Sequence, residues 1–493
     1  MGRESGRSGY ARVSLIAAGL FVLTLASRLP FLSQQLWAWD SVLYARALED
    51  GFHVDYALAE QRPHPPGYIL YVGVAWLARL LTQDSNAALV AVAAVASAMT
   101  AAALFLFARR FASERSAILV AIGFAASPLV WQYSEIAYPY TVLGLLSLSL
   151  AACLALSRGR GIAAAVVASA AFGAAAGFRQ DLLFIVGPLW LWSVFPLRWR
   201  ERGAAAAMLF LGCLFWLVPS AALSGGPASY LGAVVRQTDF VRATHSVLAQ
   251  GLPALGVNIT TTLYAVAWGL GLFAAPIAFV IASGAIDVVR RGRIALGPAE
   301  RLIAVWTLPA LALYVVLHIG EWGYVLSVLP GLYVLAAIGI DRAAALRVPA
   351  RGFAFAGAVA AGLVFLATSA PFSADAIARQ DRELASRVSF VRQHYQAQHI
   401  LLLAREDFLL VRYYLPEYRT WLYDPEPFRR SMLRKRAPKV SAIVVFNPGL
   451  RAVSDDARKV DCAKGVQLVY LAIEPGAVVE LYGEQYTIAE SQR

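Results

Sequence analysis

WAWDSVLYARALEDGF, residues 37–52, is the stretch on which the reading of this chain turns. It lies just past an apolar run at 13–31, and HPPGYIL comes soon after it at 64–70. The run is long enough to cross a bilayer core of roughly 30 Å. Asp40 is therefore a carboxylate in the first loop beyond a first span. Most of the chain from there to about residue 370 is apolar helix, so its polar chemistry is confined to loops.

The composition agrees. Of 493 residues, 59% are hydrophobic and only 15% charged, and the mean hydropathy of +0.59 is far from a soluble balance. The formal charge of +12 sits mostly in short loops, as the positive-inside rule expects. No basic-aromatic interleaving suggests nucleic-acid binding. Three cysteines make no disulfide framework and show no metal-site spacing. Arg3, Arg7 and Arg12 precede the first apolar run, and bulky residues rather than a small-residue cleavage site come after it. It reads as a first transmembrane helix, not a cleaved signal peptide.

Spans are predicted near 13–31, 87–108, 116–131, 138–157, 161–178, 182–197, 204–223, 263–287, 301–318, 324–340 and 352–370. That is about eleven, plus or minus two, by length. With the N-terminus cytoplasmic, the arginines at 109–110, 158–160, 198–202, 290–293 and 342–351 all fall inside. The condition is that residues 66–82, containing GYILYVGVAWLARLLT, do not cross but form a juxtamembrane or re-entrant helix. The fold class expected is a polytopic α-helical membrane protein with that juxtamembrane helix in its first exoplasmic loop. Residues 1–372 form the membrane domain. Residues 373–493, where charges return, read as a small exoplasmic α/β domain. DRELASRVSFVRQHY is its helix, and HILLLA, SAIVVF, VQLVYLAI and AVVELYG are its strands.

This topology gathers the polar candidates on one face. Asp40 reads as a general base, which removes a hydroxyl proton as that oxygen attacks, or as the N-cap of the next helix. Glu135, in WQYSEIAYPY, is a second carboxylate for orienting or metal binding, or an interfacial acid between aromatic anchors. His64 before Pro65 and Pro66 is a cavity-lip contact or a helix-start device. Arg179 and Asp181, in FRQD, are a phosphate-binding group or a mutual ion pair. His318, Glu321 and Tyr324, in HIGEWGY, line a lipid-phosphate groove or belong to an aromatic belt.

Together these features resemble the GT-C glycosyltransferases that use polyprenyl-phosphate sugars, the protein O-mannosyltransferase, aminoarabinose transferase and lipopolysaccharide-core transferase group. The resemblance covers residues 13 to 370. It rests on WAWDSVLYARAL, HPPGYILYVG, ARRFASERSAILVA leading to SPLVWQYSE, GFRQD and HIGEWGYVLSVLPGL, in that order. It implies an inverting transfer on the exoplasmic side, with Asp40 as base and Glu135 as the second-loop acid. Where many relatives have a second acid beside the first-loop aspartate, this chain has Trp39 and Ser41. No cofactor is called for, and a divalent metal is left open. The implied partners are a polyprenyl-phosphate-linked sugar, a lipid, glycan or protein acceptor, and the membrane. The implied location is a bacterial inner membrane, with the N-terminus cytoplasmic and the C-terminal domain periplasmic. The competing reading is a secondary transporter or flippase for an envelope glycan precursor. Such proteins place ionisable groups near the midplane in repeated halves, and no internal repeat is visible.

Overall fold

The computed structural model describes residues 2–55, 63, 65, 67–291, 296–317, 319–422, 442–446, 458–472, 478–481 and 484–487. His64 and His318 lie outside them. The chain divides into two compact units. One contains residues 1–32, 47–56 and 63–377; the other contains 33–46, 57–62 and 378–493. The Asp40 segment thus groups with the C-terminal residues.

Helices dominate. In order they are α1 (Gly2–Arg28), α2 (Trp39–Glu49), α3 (Ile69–Thr82), α4 (Ser85–Ala108), α5 (Glu114–Ala126) and α6 (Pro128–Tyr133). Then come α7 (Tyr140–Ser157), α8 (Ile162–Ala175), α9 (Leu182–Ile185), α10 (Gly187–Val194), α11 (Trp199–Leu223) and α12 (Pro227–His245). The last of the membrane unit are α13 (Val247–Leu270), α14 (Ala274–Arg291), α15 (Pro298–Val316), α16 (Leu329–Ala345) and α17 (Ala350–Ala367). Among the described residues, seven helical stretches are long and apolar enough to cross a membrane: Tyr10–Phe31, Ser85–Ala108, Tyr140–Ser157, Trp199–Leu223, Val247–Ile286, Pro298–Val316 and Ala350–Ala367.

The other four expected spans form shorter pieces. The stretch at 116–131 breaks where Ser127 precedes Pro128, the first residue of α6, a position that suits proline because its missing N–H needs no partner. The stretch at 182–197 divides at Val186 into α9 and α10. Those at 161–178 and 324–340 become α8, of 14 residues, and α16, of 17 residues. Helix α3 also has 14 residues, about 21 Å at the helical rise, short of a bilayer core. It buries Tyr71, Val72 and Ala75 and exposes Trp76, Leu77, Leu80 and Leu81.

Two devices hold the membrane unit. Glycines let α8 and α11 touch backbone to backbone: a Cβ on Gly173 would collide with the Leu209 carbonyl, and one on Gly212 with that of Ala170. Small residues at such crossings are how helices gain contact where lipid offers no hydrophobic drive. Polar links do the rest. The buried Trp306 Nε1 donates to Ser147 Oγ (2.8 Å), and Ser147 Oγ donates to the Ser327 carbonyl (2.7 Å). This ties α15 and α7 to the 3-10 helix Trp322–Ser327.

In the second unit, α18 (Ala374–His394), most of which belongs here, and α19 (Phe408–Tyr414) accompany a five-stranded sheet ordered β2-β1-β3-β5-β4. Its strands are β1 (Ile400–Ala404), β2 (Arg419–Leu422), β3 (Ala442–Val445), β4 (Arg458–Ala463) and β5 (Val466–Ala472). β2, β1 and β3 run parallel, and β5 and β4 continue antiparallel. β6 (Val478–Leu481) and β7 (Glu484–Thr487) form a separate hairpin. The four strand-like runs in the sequence are β1, β3, β5 and β6. β1 and β3 are wholly buried, which is why they read as unbroken apolar runs.

Candidate functional site

The polar centre of the membrane unit is Arg179. Its side chain is 3% exposed, and it lies on the turn between α8 and α9. That turn is held by backbone: Leu70 N, at the start of α3, donates to the Gly177 carbonyl at 3.1 Å. Gly177 is needed there because a Cβ would meet the Trp216 ring. The HPPGYIL and GFRQD segments are therefore neighbours. Arg179 Nε lies 3.2 Å from both Asp181 carboxylate oxygens, and Nη2 donates to Oδ2 at 2.8 Å.

Three tyrosine rings enclose the guanidinium. Its central carbon lies 4.7 Å from the Tyr140 centroid, 5.0 Å from Tyr324 and 5.2 Å from Tyr68. Each ring face attracts a cation. Tyr68 has φ +53°, an outlier for a bulky residue that costs on the order of 1–3 kcal/mol. Gly67 before it, at φ +97°, completes the bend. On the far side, Gly323 brings the 3-10 helix against Tyr140 and Tyr133; a Cβ there would strike both rings. The Tyr314 hydroxyl lies 2.6 Å from Ser327 Oγ and 3.1 Å from the Tyr324 carbonyl, bracing that helix from α15. Glu321 accepts from the Tyr133 and Tyr138 hydroxyls at 3.3 and 3.5 Å.

Of the expected site residues, Arg179, Asp181, Tyr324 and Glu321 thus belong to one cluster around the tyrosines. The ion pair between Arg179 and Asp181 is present, but a single carboxylate meets a cation that three neutral rings also face. Five tyrosines, Tyr68, Tyr133, Tyr138, Tyr140 and Tyr314, do not stand out as site residues in the sequence. The YPY of 138–140 is their one visible signal.

Glu135 sits elsewhere in the unit. It is fully buried. Oε1 accepts from Trp131 Nε1 at 2.6 Å, and Oε2 is buried with no hydrogen-bond partner. Trp131 stacks on Phe365 at 4.5 Å, and the Arg28 guanidinium lies 4.5 Å over the Trp131 ring. Burial pushes the Glu135 carboxyl well above the usual range, against the pull of Arg28 and the Trp131 hydrogen bond. Asp40 belongs to the second unit, half-buried in the first turn of α2. Among the described residues no three histidine, cysteine or carboxylate side chains could share a metal ion.

A bundle of apolar helices with a buried arginine–tyrosine cluster, followed by a small α/β unit, defines a class of polytopic membrane protein with a polar site built from its loops. The particular fold is that of ArnT from Cupriavidus metallidurans. The unliganded ArnT structure matches at TM-score 0.56 and 13% identity, over 94% of this chain and 98% of that one. ArnT bound to undecaprenyl phosphate matches at 0.56 and 14% over the same shares. The oligosaccharyltransferase AglB from Archaeoglobus fulgidus, in complex with an inhibitory peptide and a dolichol-phosphate, covers 88% of this chain and 69% of that one at 11% identity. Its TM-score of 0.42 is too loose to support a conclusion. No protein-family model and no curated protein matches by sequence.

Proposed function

We propose that the chain is a membrane glycosyltransferase that moves a sugar from a polyprenyl-phosphate donor to an acceptor on the exoplasmic side of a bacterial inner membrane. The observation that carries this reading is the fold, matched along 94% of the chain to a protein solved with undecaprenyl phosphate. Arg179 supports it: a buried cation held between tyrosine faces suits a phosphate that leaves as an anion. In this reading Asp40 takes the acceptor proton as its oxygen forms the new bond to the sugar C1. The C1–O bond to phosphate breaks, the electron pair leaves with the lipid phosphate, and C1 inverts. Tyr324 and Glu321 contact the substrate on the cluster's far side, with His64 and His318 as further contacts. Glu135 is assigned to holding α6 against α1 rather than to the reaction, because a neutral, enclosed acid offers no base. Eleven crossings, with the N-terminus inside and the C-terminal unit outside, complete the reading.

The test is transfer from radiolabelled polyprenyl-phosphate sugars by purified protein in liposomes. Asp40→Asn is expected to lower turnover about 100-fold or more with donor binding and thermal unfolding unchanged. Unchanged turnover removes the base assignment. Movement of labelled lipid across the bilayer without a new glycoside favours a flippase.

A further inference from the structure

The C-terminal unit contains no glycine-rich phosphate loop or nucleophile motif, yet the segment that leads into Asp40 is bound to it. Between Ser33 and Trp39 nearly every residue has a partner from α18 or from the β1–α19 region. The Asp381 carboxylate on α18 accepts from Ser33 Oγ (2.7 Å), Gln34 N (2.8 Å) and Gln35 N (3.3 Å). The next amide, Leu36 N, donates to the Tyr414 hydroxyl at 2.8 Å. Gln380 Nε2 donates to the Trp37 carbonyl at 2.6 Å. Trp39 Nε1 donates to the Glu406 carbonyl, and its ring packs on Phe408 at 6.3 Å. Past Asp40, Arg46 lies over the Tyr413 ring at 4.9 Å.

This segment has no ladder of its own before α2 begins at Trp39. Three consecutive backbone amides, Gln34 to Leu36, find their acceptors on α18 and α19; Gln34 is exposed and Gln35 partly so, but Leu36 is buried, and a buried amide without an acceptor is strongly disfavoured. A carboxylate is the strongest of the acceptors available to such donors. The conformation entering α2 is therefore set from outside the segment.

We propose that the C-terminal unit is a clamp for the catalytic loop, and that Asp381 is the positioning residue that fixes the backbone ahead of Asp40. The catalytic half of this statement rests on the reading of Asp40 above. Displacing a reacting group by about 1 Å costs up to about 100-fold in rate without touching the chemistry. A loosened clamp lowers turnover while leaving the donor site in the membrane unit intact.

The experiment uses the full chain in detergent or liposomes and two readouts. Asp381→Ala is expected to speed amide hydrogen exchange at Gln34 and Gln35 while the amides of β1 and β3 stay protected. Turnover is expected to fall about 10- to 100-fold, with donor KM within about twofold. Asp381→Asn, which keeps an acceptor oxygen, loses less of both. Should Asp381→Ala fail to fold, Tyr414→Phe removes the hydroxyl that accepts from Leu36 N, and exchange at Leu36 is read instead. Unchanged exchange overturns the clamp. Faster exchange with unchanged turnover overturns its role in positioning Asp40. A wild type inactive on every polyprenyl-phosphate sugar removes the transferase reading, and the exchange data still decide the clamp.

Discussion

Glu135 shows how burial decides what a carboxylate can do. One oxygen is held by Trp131 and the other has no hydrogen-bond partner among the described residues, so ionisation there costs desolvation that the nearby Arg28 only partly offsets. The folded-state pKa lies above the unfolded value. The stability that the neutral acid contributes is then fully present below the unfolded pKa and is lost as pH rises through the folded one. A glutamine in its place would be neutral at every pH and would keep an oxygen for Trp131. In thermal unfolding at a series of pH values, Glu135→Gln is expected to match the wild type below the unfolded glutamate value of 4.5 and to gain on it steadily as pH rises above that. A glutamate ionised against Arg28 gives the opposite sign, with the glutamine variant the weaker at neutral pH. The sequence could not separate these cases. WQYSE at a span end looks the same whether its acid faces water or is buried within the electrostatic reach of Arg28, 107 positions away in the chain.

At the scale of elements, one carboxylate joins three helix ends. Asp341, at the end of α16, accepts from Ser113 N and from the hydroxyls of Ser113 and Ser116 at the start of α5. It also pairs with Arg351 in the first turn of α17 at 3.1 Å. Burial alone would raise its pKa, and these hydrogen bonds outweigh it and hold the carboxyl below the usual range. Its stabilisation is present above the unfolded pKa and is lost as pH falls through the folded one. Asp341→Ala leaves those donors open and is expected to cost about 1–3 kcal/mol, read as a lower unfolding midpoint at neutral pH that converges on the wild type in acid.

The same scale shows what a sequence discloses. The seven long spans, β1, β3 and the α18 helix are legible because one stretch of apolar or amphipathic pattern determines each. The broken spans are not: a proline at 128 or 188 is tolerated in many membrane helices, and only packing says where the chain divides. β4 is not legible either, because an edge strand reading RKVDCA is half exposed and polar. At the site, Arg179 and Asp181 stand out as charges in an apolar setting. The tyrosines that surround Arg179 come from the start of α3, from α7 and from the 3-10 helix, and read locally as interfacial aromatics.

For the whole molecule, the charge-based topology depends on how the chain passes two places. α3 and α8 both have 14 residues, and the proposed topology requires that α3 lie along the membrane while α8 crosses. Val247–Ile286, at 40 residues, is long enough to cross twice, but it kinks near its start at Gly251, with φ +65°, and breaks at Gly271, with φ +51°. Across that break the chain runs the same way as α16, with Gly269 before it against Leu329 and Pro276 after it against Gly339. In the proposed topology, a single crossing through α14 would put its C-terminal arginines on the cytoplasmic side and the C-terminal unit outside. The native cysteines report on this directly. Cys462 is partly exposed in β4, while Cys153 and Cys213 lie within α7 and α11. An impermeant maleimide added to intact spheroplasts is expected to label the wild type and not Cys462→Ser. Inverted vesicles are expected to show no labelling of Cys462 until they are opened with detergent. Labelling in inverted vesicles alone would put the C-terminal unit in the cytoplasm. It would mean that the chain crosses an even number of times and would leave Asp40 and its clamp on the side without lipid-linked donor.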